Sequence, residues 1–268
     1  AERHRSLMRC LDWSFNLLDK WVQDGFAGLG VFADTFTVNS VEFICERPDA
    51  QKILDSLVKM RLVYRLSYEE VSVYTMLRFT RIYANTKFKL LPNAHSIRQR
   101  FISYFVEMAN ESGVLKRHGK SFAFNLEWKN ALAATKIAEE IGNKGALFPL
   151  SKYLGEFLLR KGLWAEREKL NFSALKAARE LRNEPVERCI LVDLGTVLER
   201  QGRWNEAKER YKDSLIISTR LESVEGQAIA WEHLGELFQR EGKTVEAEDA
   251  YRRHTELRKR KNECDLHR

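Results

Sequence analysis

A 40-residue repeat in the C-terminal half of the chain is the feature that most constrains its fold. Three copies of one pattern begin at Leu154, Leu194 and Leu234, each with Leu-Gly and then a second glycine seven residues after the first. The copies lie 40 residues apart both times, without insertion or deletion. Self-similarity at a fixed period of about 20 to 50 residues is typical of solenoids, whose units pack only on their neighbours. We therefore expect a stack of similar units here.

Each copy of the pattern predicts a pair of helices. The apolar residues recur at helical spacing, and the first glycine leaves room for a neighbouring helix to come close. The second glycine marks the end of the first helix, because glycine tolerates the left-handed conformation of a helix C-cap. A second helix then begins near the tryptophan, Trp164 or Trp204. One pair cannot bury its own apolar face, so the pairs should stack and form a groove.

The repeat resembles the tetratricopeptide family over roughly residues 126–262. Matching residues of the second helix recur at the same period; they are Glu166, Glu206 and Glu246, Ala207 and Ala247, and Tyr211 and Tyr251. The family period is about 34 residues, so we expect longer helices in this chain. The first unit departs from the pattern, because Arg167 replaces the alanine and Asn171 replaces the aromatic residue.

Residues 1–91 do not share the repeat and predict a winged-helix-like module. Helices are expected at residues 6–18, 20–32, 38–45, 49–60 and 77–87. Two runs rich in β-branched and aromatic residues, 63–68 and 71–76, predict a β-hairpin before the last of these helices. The predicted fold class is therefore mainly all-α, a winged-helix-like module with one β-hairpin followed by a tetratricopeptide-like α-solenoid of about three to four helix pairs.

Residues 92–125 are predicted to be a basic connector that includes a degenerate first repeat, ahead of the repeats proper at 126–268. Residues 104–113 resemble residues 153–162. From residue 78 to 120 there are nine basic and two acidic residues, an excess equal to the net charge of +7 of the whole chain. The basic residues are Arg78, Arg81, Lys87, Lys89, Arg98, Arg100, Lys116, Arg117 and Lys120. Such a patch attracts phosphate or an acidic protein surface; alternatively, it is an ordinary solvated helix face.

Several segments resemble a bacterial class, the signal-transduction ATPases with numerous domains (STAND). The segments are residues 3–7, 12–18, 29–32, 75–84, 98–101 and 125–132. In that class an ATPase module precedes a winged helix and a helical repeat sensor. The resemblance implies that this chain is a regulatory portion, and that an ATPase domain with a P-loop lies upstream in the full-length protein. It also places Leu77 where many members have a histidine, so we expect no nucleotide phosphate contact there.

No set of residues predicts catalysis. The six histidines lack metal-ligand spacing, and residues 113–121 are one residue too long for a phosphate-binding loop. The four cysteines, Cys10, Cys45, Cys189 and Cys264, form no zinc motif, and their wide spacing favours free thiols in a reducing cytoplasm. No stretch is apolar for long enough to span a membrane. We therefore expect no catalytic residue, no metal and no cofactor.

The first helices of the repeats predict a binding groove. The tetratricopeptide resemblance places the following residues on its concave face, and they are called the groove residues below: Glu156, Leu159, Arg160, Thr196, Glu199, Arg200, Glu236, Gln239 and Arg240. The three arginines share one register position. Arginine binds carboxylates bidentately, so an acidic peptide or a chain terminus could dock there. Alternatively, each arginine pairs with an acidic residue of the adjacent repeat.

Two functions follow from these patterns. In the first, the repeat groove binds a protein, peptide or small effector, and the winged helix relays that state to the upstream ATPase domain. In the second, the winged helix binds DNA and the repeats bind an effector. The best candidate for a recognition helix, residues 51–61, offers only Lys52, Lys59 and Arg61 as positive side chains. Because its apolar stripe should be buried, we favour the first function.

Overall fold

The computed structural model describes residues 2–68, 71–115 and 121–266, and these are mainly helical. Internal contacts divide the chain into two compact units, Ala1–Ile141 and Gly142–Arg268. Among the helices described, none combines the length and the apolarity needed to cross a membrane.

The first unit contains seven α-helices and one hairpin within its described residues. They are α1 Glu2–Asn16, α2 Lys20–Gly28, α3 Val38–Cys45, α4 Ala50–Lys59, β1 Tyr64–Tyr68, β2 Val71–Thr75, α5 Arg78–Phe88, α6 Ala94–Leu115 and α7 Ser121–Glu140. A short 3-10 helix, Leu29–Val31, extends α2. The predicted helices and the hairpin are thus all present. The winged-helix assignment itself stays a prediction.

Local sequence explains the elements around the hairpin. Helix α3 begins with a capping box, in which Thr37 and Ser40 each accept a hydrogen bond from the other's backbone N–H. Strands β1 and β2 pair antiparallel, with Leu66 opposite Val73. Tyr74 also exchanges both backbone hydrogen bonds with Phe36, at 2.8 and 2.9 Å. The hairpin is therefore fixed to the segment that precedes α3.

The core of the first unit is aromatic. The rings of Phe32, Phe36 and Phe101 are buried, with centroids 5.0 to 5.6 Å apart between Phe32 and the other two. Gly30 lies so close to α5 that a Cβ atom there would overlap the carbonyl of Ala84. Any larger residue at position 30 would have to push two backbone segments apart, because a carbonyl cannot rotate away as a side chain can.

Helices α6 and α7 belong to this first unit. The buried Asn130 of α7 accepts hydrogen bonds from the backbone N–H groups of Ala33 and Asp34, at 2.8 and 3.1 Å. Its amide donates to the carbonyl of Thr35 at 2.6 Å. One side chain of α7 thereby supplies hydrogen-bond partners to backbone groups of residues 33–35, the turn before α3. The local sequence did not indicate what would hold that turn.

Within its described residues, 142–266, the second unit consists of three helix pairs. They are α8 Leu147–Arg160 with α9 Trp164–Glu180, α10 Glu184–Arg200 with α11 Trp204–Arg220, and α12 Val224–Arg240 with α13 Thr244–Leu266; a 3-10 helix, Lys144–Ala146, precedes α8. Each helix packs against the next along the chain, from α8 to α13. Helices α9 and α11 begin at the tryptophans that the repeat predicted. The C-terminal half is therefore a tetratricopeptide-like stack.

Helix length explains the 40-residue period. Helices α10 and α11 have 17 residues each, and three-residue turns follow both of them. The prediction of longer helices is thus confirmed. The second glycine of each copy, Gly162, Gly202 or Gly242, has a φ of +70 to +75° at the end of its first helix. This is the left-handed conformation that glycine adopts without steric penalty.

Candidate partner-binding groove

The groove residues follow the buried Leu-Gly pair on each first helix. On α10, Leu194 and Gly195 are buried, whereas Thr196 and Glu199 are half-buried and Arg200 is exposed. The equivalent residues of α8 and α12 are likewise half-buried or exposed. Each first helix therefore packs through its leucine and glycine. Its groove residues remain accessible to a partner.

Glu199 is the point at which α10, α11 and α12 meet. Its Oε1 atom lies 2.8 Å from Nη1 of Arg240, on the next first helix. Its Oε2 atom accepts a hydrogen bond of 3.1 Å from the hydroxyl of Tyr211, which also lies 3.4 Å from Oγ1 of Thr196. Burial raises the pKa of Tyr211, so its hydroxyl stays protonated and continues to donate. Tyr211 thus connects Thr196 and Glu199, and Glu199 in turn connects to Arg240.

His233 joins this cluster, although sequence reasoning did not select it. Its ring stacks on the ring of Tyr211, with centroids 4.7 Å apart and planes inclined by 6°. Its Nδ1 atom lies 3.8 Å from Oε2 of Glu236. The His-x-x-Glu spacing from 233 to 236 was the available signal, because residues three apart share a helix face. Nothing in the local sequence indicated that Glu199 would lie opposite that face.

The three arginines of the predicted ladder differ in their partners. Arg160 lies 3.7 Å from Glu156 on its own helix, and Arg240 pairs with Glu199 of the preceding repeat. Within the described parts of the chain, Arg200 has no ion pair. The residues equivalent to those two acidic partners are Thr196 and Leu159, neither of which carries a charge. The alternative of pairing between repeats is therefore realised for Arg240 and not for Arg200.

The departure of the first repeat from the pattern has a structural compensation. A Cβ atom on Gly195 would overlap the ring of Tyr211, whereas one on Gly155 would overlap the guanidinium of Arg167. The buried Arg167 side chain thus fills the space that the tyrosine ring fills one repeat later. It donates to the carbonyl and hydroxyl oxygens of Ser151 and to Oδ2 of Asp193, the last at 2.9 Å.

Position 193 completes this compensation. The residue equivalent to Asp193 in the next repeat is His233, which stacks on Tyr211. A polar pair, Arg167 and Asp193, therefore replaces a stacked pair of rings. Burial lowers the pKa of the Arg167 guanidinium, and the neighbouring Asp193 carboxylate opposes that shift.

Much of the predicted basic patch takes part in internal ion pairs. Arg81 lies 3.7 Å from Asp34, and Lys87 lies 3.2 Å from Asp12. Arg98 pairs with Glu140 and Arg100 with Glu46, at 3.6 and 3.0 Å. Arg78 and Lys89 are exposed. The other three members, Lys116, Arg117 and Lys120, lie outside the described residues.

The candidate recognition helix is α4. Leu54 and Leu57 of the predicted apolar stripe are fully buried, and so is Ile53. Lys52 and Lys59 are exposed, and so is Asp55 on the same helix. The exposed part of α4 therefore carries mixed charge.

Comparison with known proteins agrees with the repeat assignment. Residues 186–260 match the family model for the tetratricopeptide repeat. No curated protein sequence matches the chain.

Two solved structures resemble the chain at low sequence identity. One is BtubC from P. vanneervenii, with 17% identity, a TM-score of 0.40, and coverage of 61% of this chain and 74% of that one. The other is a STAND protein with a tetratricopeptide repeat sensor from Pyrococcus horikoshii, with 12% identity, a TM-score of 0.46, and coverage of 94% of this chain. This chain spans 53% of the length of the Pyrococcus protein. The C-terminal half of the chain is a tetratricopeptide-like helical repeat region.

Proposed function

We propose that the repeat region is a non-catalytic module that binds a protein or peptide partner through the groove residues. The observation that carries this proposal is the state of Arg200. It is exposed and unpaired within the described residues, in a row whose other two arginines are engaged. Because the two positions equivalent to the partners of those arginines carry the uncharged residues Thr196 and Leu159, the Arg200 guanidinium is available to a carboxylate from another molecule.

The residues at these two equivalent positions indicate what kind of partner would fit. Leu159 of the preceding repeat is half-buried and apolar, and Thr196 lies one turn earlier on α10. Arg240 already neutralises Glu199. An acidic side chain or a free chain terminus would therefore meet Arg200, and an adjacent apolar side chain would meet Leu159. We propose a peptide segment that combines these two features.

We further propose that the chain is the regulatory portion of a cytoplasmic signal-transduction ATPase. The resemblance of residues 3–7, 12–18 and 75–84 to the STAND class supports this proposal, as does the order of the helices, hairpin and repeats. It predicts a P-loop and an acidic metal-binding strand in the coding sequence upstream of residue 1. An upstream sequence without a P-loop would contradict this part of the proposal and leave peptide binding unaffected.

Fewer observations support the alternative, in which a winged helix binds DNA. Four of the basic residues that would contact phosphate form ion pairs within the first unit, and the exposed part of α4 includes Asp55. Sequence reading in DNA grooves depends on accessible donors from a recognition element.

Replacing Arg200 with glutamate should weaken peptide binding at least about tenfold, because one charge-assisted hydrogen bond is lost and a like charge is added. The probe is a fluorescein-labelled decapeptide pool with leucine and two acidic residues fixed next to a free C-terminal carboxylate. Fluorescence anisotropy of the full chain titrated into this pool gives the apparent Kd.

Arg258→Glu is the matched control for that experiment. Arg258 is an exposed arginine of α13 without an ion pair in the described residues, so its replacement makes the same charge change away from the groove residues. We expect the affinity of this variant to stay within about twofold of that of the unaltered chain, since distant surface charges are screened by salt. Equal losses for Arg200→Glu and Arg258→Glu would contradict the proposal, as would an absence of binding by the unaltered chain.

A further inference from the structure

We propose that Glu199, His233 and Glu236 form a site for a divalent first-row transition-metal ion such as Zn²⁺. These three residues are called the triad below. Glu199 comes from α10, and the other two come from one face of α12. The site lies within the repeat region and uses two groove residues, but it does not depend on whether a peptide binds there.

The geometry of the triad is close to that of a metal site. Each residue offers one ligand atom, and these atoms all lie within 4.8 Å of one another. Zinc bonds to nitrogen and oxygen measure about 2.0 to 2.2 Å, which puts ligand atoms about 3.4 Å apart in a tetrahedral site. The contraction required is therefore at most about 1.4 Å, and rotation of the two glutamate side chains can supply it. All three residues are half-buried.

The histidine of the triad is oriented and has an unused ligand atom. Its ring plane is fixed by the stack on Tyr211, and its Nδ1 atom is buried without a hydrogen-bond partner. Buried polar atoms are nearly always paired in folded proteins, so an unpaired nitrogen 3.8 Å from the Glu236 carboxylate needs an explanation. A metal ion bound at Nδ1 would provide one.

The donor set selects the class of ion. Imidazole nitrogen suits zinc, copper, iron and nickel, whereas magnesium and calcium prefer oxygen donors alone. Two carboxylates balance the charge of a divalent ion. Three protein ligands leave at least one position for water or for a group from a partner. The hydroxyl of Tyr211 donates to Oε2 of Glu199 at 3.1 Å and would orient that ligand.

Arg240 competes with the ion for Glu199. Its guanidinium lies 2.8 Å from Oε1 of that glutamate, and a cation so close lowers the affinity for a second cation. Metal binding should therefore strengthen when Arg240 is replaced by glutamine. A purely structural cluster would give no such gain, so this variant distinguishes a metal site from a set of packing contacts.

The test is isothermal titration calorimetry of ZnCl₂ into the full chain. The free thiols Cys10 and Cys189 could also bind zinc, so they and Cys264 are first replaced by serine. We expect one ion per chain. His233→Gln and Glu236→Gln should each weaken binding at least about tenfold, since each removes one ligand. Arg240→Gln should strengthen binding.

His254→Gln is the matched control. His254 lies on α13, where its Nδ1 atom is 2.9 Å from the carbonyl oxygen of Ala228 and 3.9 Å from the single carboxylate of Glu232. Its replacement should leave zinc affinity unchanged. Circular dichroism checks that every variant is folded. If His233→Gln does not fold, the test relies on Glu236→Gln, because Glu236 is only half-buried. Equal affinity of Glu236→Gln and His254→Gln, or no saturable binding, would overturn the metal site. Neither result would affect the peptide proposal, which is tested at Arg200.

Discussion

Replacing Arg167 with alanine is expected to lower the free energy of unfolding by about 3 kcal/mol, because removal of one partner of a buried ion pair leaves the other uncompensated. The arginine is 3% exposed and fills the space beside Gly155. Its loss would create a cavity and leave Ser151 without two donors. The Asp193 side chain is 37% exposed and can be partly rehydrated, which places the expected loss at the lower end for buried pairs. Urea unfolding followed by circular dichroism measures the change.

A rescue variant tests the physical reason for that loss. Arg167→Ala combined with Asn171→Tyr and Asp193→His copies the alanine, tyrosine and histidine of the next repeat, Ala207, Tyr211 and His233. The introduced ring should fill the space beside Gly155 and stack on the introduced imidazole, as Tyr211 and His233 do. We expect at least half of the lost stability to return. A triple variant no more stable than Arg167→Ala would contradict the equivalence of the repeats.

The stability of the first unit should fall as the pH rises from about 4.5 to about 7, through the titration of Glu127. Burial raises the pKa of this carboxyl to about 7, from an ordinary value of 4.5. Between these values the folded chain keeps a proton that the unfolded chain has released, so raising the pH favours unfolding. The full effect amounts to about 3 kcal/mol. This loss of stability is absent below pH 4.5 and complete above pH 7.

Glu127→Gln isolates this contribution from those of other carboxyl groups. The amide has almost the same shape and carries no charge at any of these pH values. Relative to the unaltered chain, the variant should therefore gain stability between pH 5 and pH 8, by up to about 3 kcal/mol. Urea titration at pH 5 and at pH 8 measures the difference in free energy of unfolding between the two chains. A difference that does not change with pH would contradict the assignment to Glu127.

The architecture could be predicted because its signals are local. Two 17-residue helices with two short turns reproduce the 40-residue period, so that period, the glycine at the end of each first helix and the tryptophan at the start of the second specify the units. The front helices and the hairpin follow from spacing and β-branched composition in the same way. The apolar stripe of α4 that includes Leu54 and Leu57 was also apparent before the structure.

The chemistry of the candidate sites could not be predicted, because it depends on contacts between distant residues. Glu199 meets His233 and Arg240 only after α10 and α12 have been placed in one stack. Arg167 and Asn171 looked like defects of the first repeat, and nothing in that repeat pointed to Asp193. The charge of the basic patch was counted along the chain, whereas four of its members are neutralised by residues far away in sequence.

We propose that the first helices of the repeats form the surface that receives a partner. Photo-cross-linking tests it most directly, with benzoylphenylalanine placed in the full chain either at Thr196, a groove residue of α10, or at Phe172, which is 48% exposed on the second helix α9. With the labelled acidic decapeptide pool, we expect cross-linked product from position 196, reduced by Arg200→Glu, and little from position 172. Product formed equally at both positions, or only at position 172, would contradict it.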